Sequence, residues 1–307
     1  MVVFYKTASE NASVAQLVEH HVANVIVAGS IPVTRSIFLS EDMIKLIATD
    51  LDGTLLDDNK QLPPGFFDAI LKLKAHGVRF VIASGRQYYN IVKIFEELQN
   101  DLYFLGDNGA VAFEGRNCMG YTELPPEVLL APLERVRSIP TAHPIFCGVD
   151  CAYSDDTDPY FCTNARKYNS RFKIVPHLPD VLKTDHICKL AVFDSENAEK
   201  NTLPNMKQFA GDFTLALAGE EWLDCMPPGM NKGIGLKLIQ EKLGISPEET
   251  MAFGDYHNDL EMLQSCHYSY AMKNAHPDIL KTARYTTEYS NNEYGVMKTL
   301  QQYFDFL

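Results

Sequence analysis

No stretch of this sequence approaches the roughly 20 unbroken apolar residues of a membrane-spanning helix, so no membrane partner is expected. No Lys/Arg block relieves its acidic excess: 27 basic residues face 40 acidic ones, for a net charge of −13 and a pI near 5.1. Nucleic-acid binding through a basic face is therefore not expected either. No Cys-x-x-Cys pair occurs among the seven scattered cysteines. A disulfide framework belongs to shorter, secreted chains, which leaves reduced thiols in a cytoplasmic protein as the simplest reading. Cys147, Cys151 and His143 lack a fourth ligand at a usual zinc spacing and are read as packing or surface residues. There is no internal repeat and no low-complexity tract.

What is present is globular. With 307 residues, 46% apolar and 22% charged, the chain can bury a real core and divides into about two domains at ~150 residues each. Residues 1–42 stand apart from the later pattern. Their apolar stretch 21–33 has only Lys6 as a preceding cation, short of what a secretory signal needs. Val14–His20 and Gly29–Pro32 back-translate into the D-arm and T-arm of a transfer-RNA gene, in the right order. The expectation is a non-native or disordered extension, with translation starting at Met43. Without it the net charge is −11, from 25 basic and 36 acidic residues, and the acidic argument stands.

From residue 43 onward, strand and helix patterns alternate. Lys45–Asp50, Val78–Ala83 and Leu102–Leu105 read as buried strands. Between them, Pro63-Pro64 opens a helical pattern with a glycine stop at Gly77, and a second helix is expected over Tyr88–Leu98. Asp107-Asn108-Gly109 is a turn signal, and Val111–Phe113 starts a hairpin. The alternation returns late: helix Gly233–Leu243, strand Thr250–Phe253, helix Asn258–Cys266, strand Tyr268–Met272, helix Tyr294–Phe304. This pattern predicts an α/β fold: a Rossmann-like parallel sheet covered on both faces. The proline-rich middle, 123–226, is expected to be an inserted α+β domain, leaving 43–122 and 227–307 as the core. Within it, strands are expected at Lys189–Phe193 and Phe213–Ala218, and helices near 127–138 and 198–210.

The strongest chemical signal is Asp50-Leu51-Asp52-Gly53-Thr54 directly after an apolar strand. Two carboxylates at i and i+2 past a strand end lie at the carboxyl edge of such a sheet, where ligands bind. They invite a divalent cation or divided acid and base roles. Alone, the same letters also fit a surface turn built from Asp and Gly.

Four ordered features remove that ambiguity. Asp50–Leu56, Ser84 after Val81-Ile82-Ala83, Lys232 in Asn231-Lys232-Gly233, and Gly254-Asp255-Tyr256-His257-Asn258-Asp259 resemble, in order, the four motifs of haloacid dehalogenase superfamily phosphohydrolases. Ile82–Arg86, Asp107–Ala110, Met272–Ala275 and Glu293–Val296 resemble the Cof-like branch with its type IIB cap, and the resemblance spans about residues 44–302.

The resemblance implies Mg²⁺ as cofactor, held by Asp50, the backbone carbonyl of Asp52, and Asp255. Asp50 becomes the nucleophile and Asp52 the acid and base. Ser84, the backbone N–H groups of Leu51 and Gly85, Lys232 and Asn258 become the phosphate or substrate contacts. Asp259 is expected just behind, orienting Lys232 or a metal-bound water. His257 is read as a loop residue, because hard Mg²⁺ prefers oxygen. Arg86 can reach substrate or pair with an acidic neighbour, and both readings stay open.

The expected activity is a Mg²⁺-dependent phosphatase of small phosphorylated metabolites, sugar phosphates first, then phosphorylated cofactors. The inserted segment becomes a cap that closes over substrate and carries specificity. A phosphomutase of the same fold and a non-catalytic phosphate-binding regulator are the rival readings. The oligomeric state is not legible in the sequence.

Overall fold

The computed structural model describes residues 44–307. The expectations for residues 1–42, and the start at Met43, lie outside the described residues. The protein is an α/β structure with a mostly parallel core sheet and an inserted cap of helices and strands.

The first half of the core comprises strand β1 (Leu46–Asp50), helix α1 (Phe66–Ala75), β2 (Arg79–Ala83), α2 (Tyr88–Ile94), β3 (Tyr103–Gly106), β4 (Val111–Glu114) and β5 (Asn117–Tyr121). The inserted segment carries α3 (Pro126–Arg137), β6 (Ala142–Gly148), β7 (Ala152–Ser154), α4 (Pro159–Tyr168), β8 (Phe172–Ile174), β9 (Ile187–Asp194), α5 (Leu203–Met206), β10 (Thr214–Leu217) and β11 (Trp222–Met226). The core resumes with α6 (Lys232–Leu243), β12 (Thr250–Gly254), α7 (Leu260–Gln264), β13 (Tyr268–Ala271), α8 (Pro277–Thr282), β14 (Tyr285–Thr286) and α9 (Gly295–Tyr303).

The core sheet has the order β14-β13-β12-β1-β2-β3-β4-β5. Strand β1 lies between β12 and β2, parallel to both, with Thr49 opposite Phe253 and Asp50 opposite Ala83. Its five residues are all buried, as a strand covered on both faces must be. The chain therefore leaves β1 toward one side and later returns on the other, which opens a crevice at the carboxyl ends of β1, β2 and β12. Helix α1 buries Phe66, Ala69, Ile70 and Leu73, the i, i+3, i+4, i+7 stripe of a helix lying on a sheet. It starts one residue after a left-handed Gly65, so Pro63 and Pro64 stay in the preceding turn instead of opening the helix.

The cap sheet has the order β10-β11-β9-β6-β7-β8 and builds its own core on each face. Leu190 and Val192 of β9 pack with Leu129, Leu133 and Val136 of α3. Ala191 and Phe193 point the other way, onto Phe161 and Trp222. Strand β6 is not evident from the sequence because it contains Pro144. Its ladder to β7 pairs only Phe146 and Cys147, so the proline sits past those pairs, where a missing N–H costs nothing. The helix expected at 198–210 is broken into a π turn, the four-residue α5 and a 3₁₀ turn, with Pro204 inside it. The helix expected to Leu98 ends at Ile94 and continues as a 3₁₀ turn.

All seven cysteines are free, and all but Cys118 are buried. His143 pairs with Asp156 and stacks on Phe161, consistent with a packing role for the Cys147–Cys151–His143 region. No helix among the described residues is long and apolar enough to cross a membrane.

Candidate active site

Three strand ends and one helix start deliver the chemistry. Asp50 is the last residue of β1, Ser84 follows β2, Asp255 follows β12, and Lys232 opens α6. Asn231 caps α6 by accepting a hydrogen bond from the Ile234 N–H, which fixes where the helix begins and so where Lys232 emerges.

Lys232 is fully buried, and its Nζ donates to Asp50 Oδ1 at 2.5 Å and to Asp259 Oδ1 at 2.6 Å. A buried ammonium is tolerable only when paired, and here two carboxylates share it. Burial works to lower the Lys232 pKa, but the charges of Asp259 and Asp50 outweigh it and hold the lysine protonated. The other oxygen of Asp259 accepts the backbone N–H groups of Asp255 and Tyr256, at 2.9 and 3.1 Å. Both Asp259 oxygens are thus occupied by protein donors, and its visible work is to orient Lys232 and the 255–256 turn. Among the described residues Asp50 Oδ1 is engaged by Lys232, while Oδ2 makes no hydrogen bond.

Asp50, Asp255 and Asp259 place carboxylate oxygens within 4.8 Å of one another. This buried cluster is consistent with a Mg²⁺ site: an all-oxygen donor set suits a hard cation. Burial raises the Asp50 carboxyl well above its ordinary range, against the pull of Lys232. Burial likewise lifts Asp255 to about 6, although a 2.8 Å hydrogen bond from Thr54 opposes the shift. Carboxylates crowded this way lack positive charge, which a divalent cation would supply. Since Asp259 is committed to Lys232 and backbone donors, Asp50 and Asp255 are the two with capacity for the ion.

Gly53 shapes the cradle. Its φ is +82°, and a Cβ there would lie 2.4 Å from Asp255 Oδ2. Gly53→Ala should therefore strain the loop and displace Asp255 together, lowering activity by roughly 10²-fold, as a misplaced reacting group does. Phosphate release titrated against Mg²⁺ checks this; a variant with unchanged Mg²⁺ dependence counts against Asp255 as a ligand. The Gly53 carbonyl accepts from Asn274 Nδ2 at 2.8 Å, and Asn274 Oδ1 accepts from the Asn291 N–H. Asn274 thus braces the loop that follows β1, a role not evident from the sequence.

Asp52 receives Arg86 through two hydrogen bonds, 2.6 and 2.9 Å, and Lys60 at 2.8 Å. Partial burial works to raise its pKa, but these two cations prevail and hold it below the ordinary value. This is the proton-accepting form; the proton-donating form requires Arg86 and Lys60 to exchange Asp52 for another anion. Arg86 therefore pairs with an acidic neighbour here. Ser84 is buried, with its Oγ accepting the Arg86 N–H at 3.2 Å. Leu51 is buried and Gly85 half-buried. Asn258 is exposed, and its amide donates to Asn108 Oδ1 at 3.2 Å. His257 is exposed beside Tyr256 and His276, outside the carboxylate cluster.

The buried carboxylate cluster, the buried ammonium between two of its members and the inserted cap are the features of a phosphatase site on a Rossmann-like sheet. Comparison with known proteins agrees. A profile of haloacid dehalogenase-like hydrolases matches residues 47–300. The chain is 33% identical over 263 residues to the 5-amino-6-(5-phospho-D-ribitylamino)uracil phosphatase YbjI of Escherichia coli, covering 84% of this chain and 96% of that one. It is 28% identical to the YitU phosphatase of Bacillus subtilis, which bears the same substrate name, over 84% and 97% of the two chains. A haloacid dehalogenase-like hydrolase from Bacteroides thetaiotaomicron superposes with a TM-score of 0.74 at 27% identity, covering 85% of this chain and all of that one. The chain belongs to the haloacid dehalogenase-like hydrolases, as a Cof-like phosphatase with a type IIB cap.

Proposed function

We propose that this protein is a Mg²⁺-dependent phosphomonoester hydrolase that works through an aspartyl-phosphate on sugar or polyol phosphates. The observation that carries it is the fully buried Lys232 bridging Asp50 and Asp259. That bridge engages Oδ1 and, among the described residues, leaves Asp50 Oδ2 without a hydrogen bond, as attack on phosphorus needs.

Asp50 Oδ2 forms the bond to phosphorus as the ester P–O bond breaks, and Asp52 gives its proton to the leaving oxygen. Water then attacks phosphorus, Asp52 takes its proton, and the P–Oδ2 bond breaks to release inorganic phosphate. Asp50, Asp255 and the Asp52 carbonyl would hold Mg²⁺, which would supply the positive charge that lets an anionic nucleophile meet an anionic ester. Lys232 neutralises charge on the phosphoryl oxygens, and Ser84 with the Leu51 and Gly85 N–H groups binds them. Arg86 and Lys60, released to the phosphate, would leave Asp52 able to hold its proton.

The names of the YbjI and YitU relatives support a polyol phosphate, because a 5-phosphoribityl chain is one. Phosphate release from 5-amino-6-(5-phospho-D-ribitylamino)uracil and a sugar-phosphate panel, with Mg²⁺ and a chain beginning at Met43, tests the reading. Hydrolysis of at least one such ester is expected. No release from any ester, with phosphate still bound, would favour the regulatory alternative.

The Asp255 shift gives a pH signature. Its carboxyl is raised to about 6 without metal. The folded apoprotein therefore holds a proton there between roughly pH 4 and 6 that the unfolded chain has lost. The ionised group costs stability above pH 6, and a bound cation removes that cost. The rise in melting temperature on adding Mg²⁺ should be small at pH 5 and grow through pH 6 to a plateau near 7.5. A pH-independent increment would place the ion elsewhere.

A further inference from the structure

We propose that Lys189 of the cap is a positioning residue for this reaction: it seats the core loop 107–109, and through that loop sets the phosphate-binding frame. The inference rests on the phosphatase reading of the same site.

Lys189 lies on β9 and is 6% exposed. Its ammonium is 2.7 Å from Asp107 Oδ1 of the core and 3.2 Å from Asp224 Oδ2 of β11. Asp107 is 2% exposed. Its Oδ1 is buried with no aligned hydrogen bond, so the cap ammonium is what balances that oxygen. Burial works to lower the Lys189 pKa, but the charges of Asp107 and Asp224 prevail, so the lysine is a cation at neutral pH. An ammonium brought from the cap thus completes a carboxylate that the core alone leaves uncompensated.

The loop that Asp107 begins is strained and central. Asp107, Asn108 and Gly109 have φ of 48°, 55° and 92°, three successive left-handed residues of which two are not glycine. Such backbone persists only where its surroundings over-determine it. The Asp107 and Asn108 N–H groups donate to the carbonyls of Arg86 and Ser84, each at 3.0 Å. From that position the loop touches the Ser84–Gly85 turn, Asn258 and the start of α6. Asn108 Oδ1 accepts from Asn258, and a Cβ on Gly85 would lie 3.1 Å from the same oxygen. A Cβ on Gly109 would lie 2.6 Å from the Asn231 carbonyl and 3.1 Å from Lys232 Cα, so this packing requires glycine. Displacing Asp107 therefore moves what bears on Ser84, Asn258 and Lys232 at once. The cap also reaches the loop through Met226, whose sulfur accepts from Asn108 Nδ2 at 3.7 Å.

The test compares Lys189→Met, Lys189→Arg, Asp107→Asn and the Met/Asn double variant in the full chain, with p-nitrophenyl phosphate and Mg²⁺. Lys189→Met is expected to lower kcat roughly tenfold or more with KM within about threefold, and Lys189→Arg to recover most of it. Asp107→Asn leaves Lys189 paired with Asp224, so it tests the same link should Lys189→Met fail to fold. It should lose kcat similarly, and the double variant should be no worse than either single one. Backbone hydrogen exchange at 107–110 should rise in each variant except Lys189→Arg, with β1 and β12 unchanged. Turnover within about twofold of the unaltered protein, additive losses, or unchanged exchange at 107–110 would overturn the inference. If the unaltered protein releases no phosphate, the functional reading fails by itself, and the exchange result alone still decides whether Lys189 seats the loop.

Discussion

Asp50→Asn should lose phosphate release by at least about 10³-fold, a barrier increase of about 4 kcal/mol, while the fold survives. An amide oxygen is a poor nucleophile toward phosphorus and cannot make the acyl phosphate that splits the hydrolysis in two. Survival of the fold follows from the same geometry. Burial raises the Asp50 carboxyl well above its ordinary range, so its ionised form is an expense to the folded state at neutral pH. A neutral isostere removes that expense, and Lys232 keeps Asp259 as its partner. In EDTA the variant should therefore melt at or above the temperature of the unaltered protein, while its gain from added Mg²⁺ shrinks. Phosphate release and thermal melts with and without Mg²⁺ give both numbers. Retained Mg²⁺-dependent hydrolysis would remove Asp50 from the reaction.

Lys232→Met should be the most destabilising change in the site. Removing one member of a buried charge group typically costs about 3–5 kcal/mol, because the partners stay buried and unpaired. Asp259 is fully buried and Asp50 nearly so, and two anions would face each other with nothing between them. For a chain of this size the loss corresponds to a melting point lower by roughly 10 °C. It should be larger at pH 8 than at pH 5, where protonation relieves the repulsion. Activity should fall with it, since the same ammonium is proposed to neutralise the phosphoryl oxygens. Denaturant unfolding at the two pH values checks the sign; a deficit independent of pH would mean that Lys232 acts by packing.

These outcomes separate what was legible in the sequence from what was not. Asp50 and Asp255 end apolar strands, a local pattern, and the ordered motifs tied those local signals together. The parallel sheet followed from the same alternation. Partnerships made across the fold were less visible. Arg86 could have faced substrate or a carboxylate, and only the folded chain pairs it with Asp52. Asp107 read as a turn residue, which it is, but its ammonium partner lies 82 positions later. Lys189 sat in an otherwise apolar strand, Lys-Leu-Ala-Val-Phe, where a single buried cation was the available hint. In the cap, β7 and β8 are three residues each and β6 carries Pro144, so all three fall below what periodicity detects.

The cap's own hydrophobic interiors draw their buried members from 124–225, and the chain enters and leaves it by just two short passages, 122–125 and 227–231. It is therefore an exchangeable part. Changes confined to its two interiors need not disturb the sheet that carries Asp50 and Asp255. The few residues that bridge the two halves, Lys189 among them, mark the joint that any such graft would have to preserve.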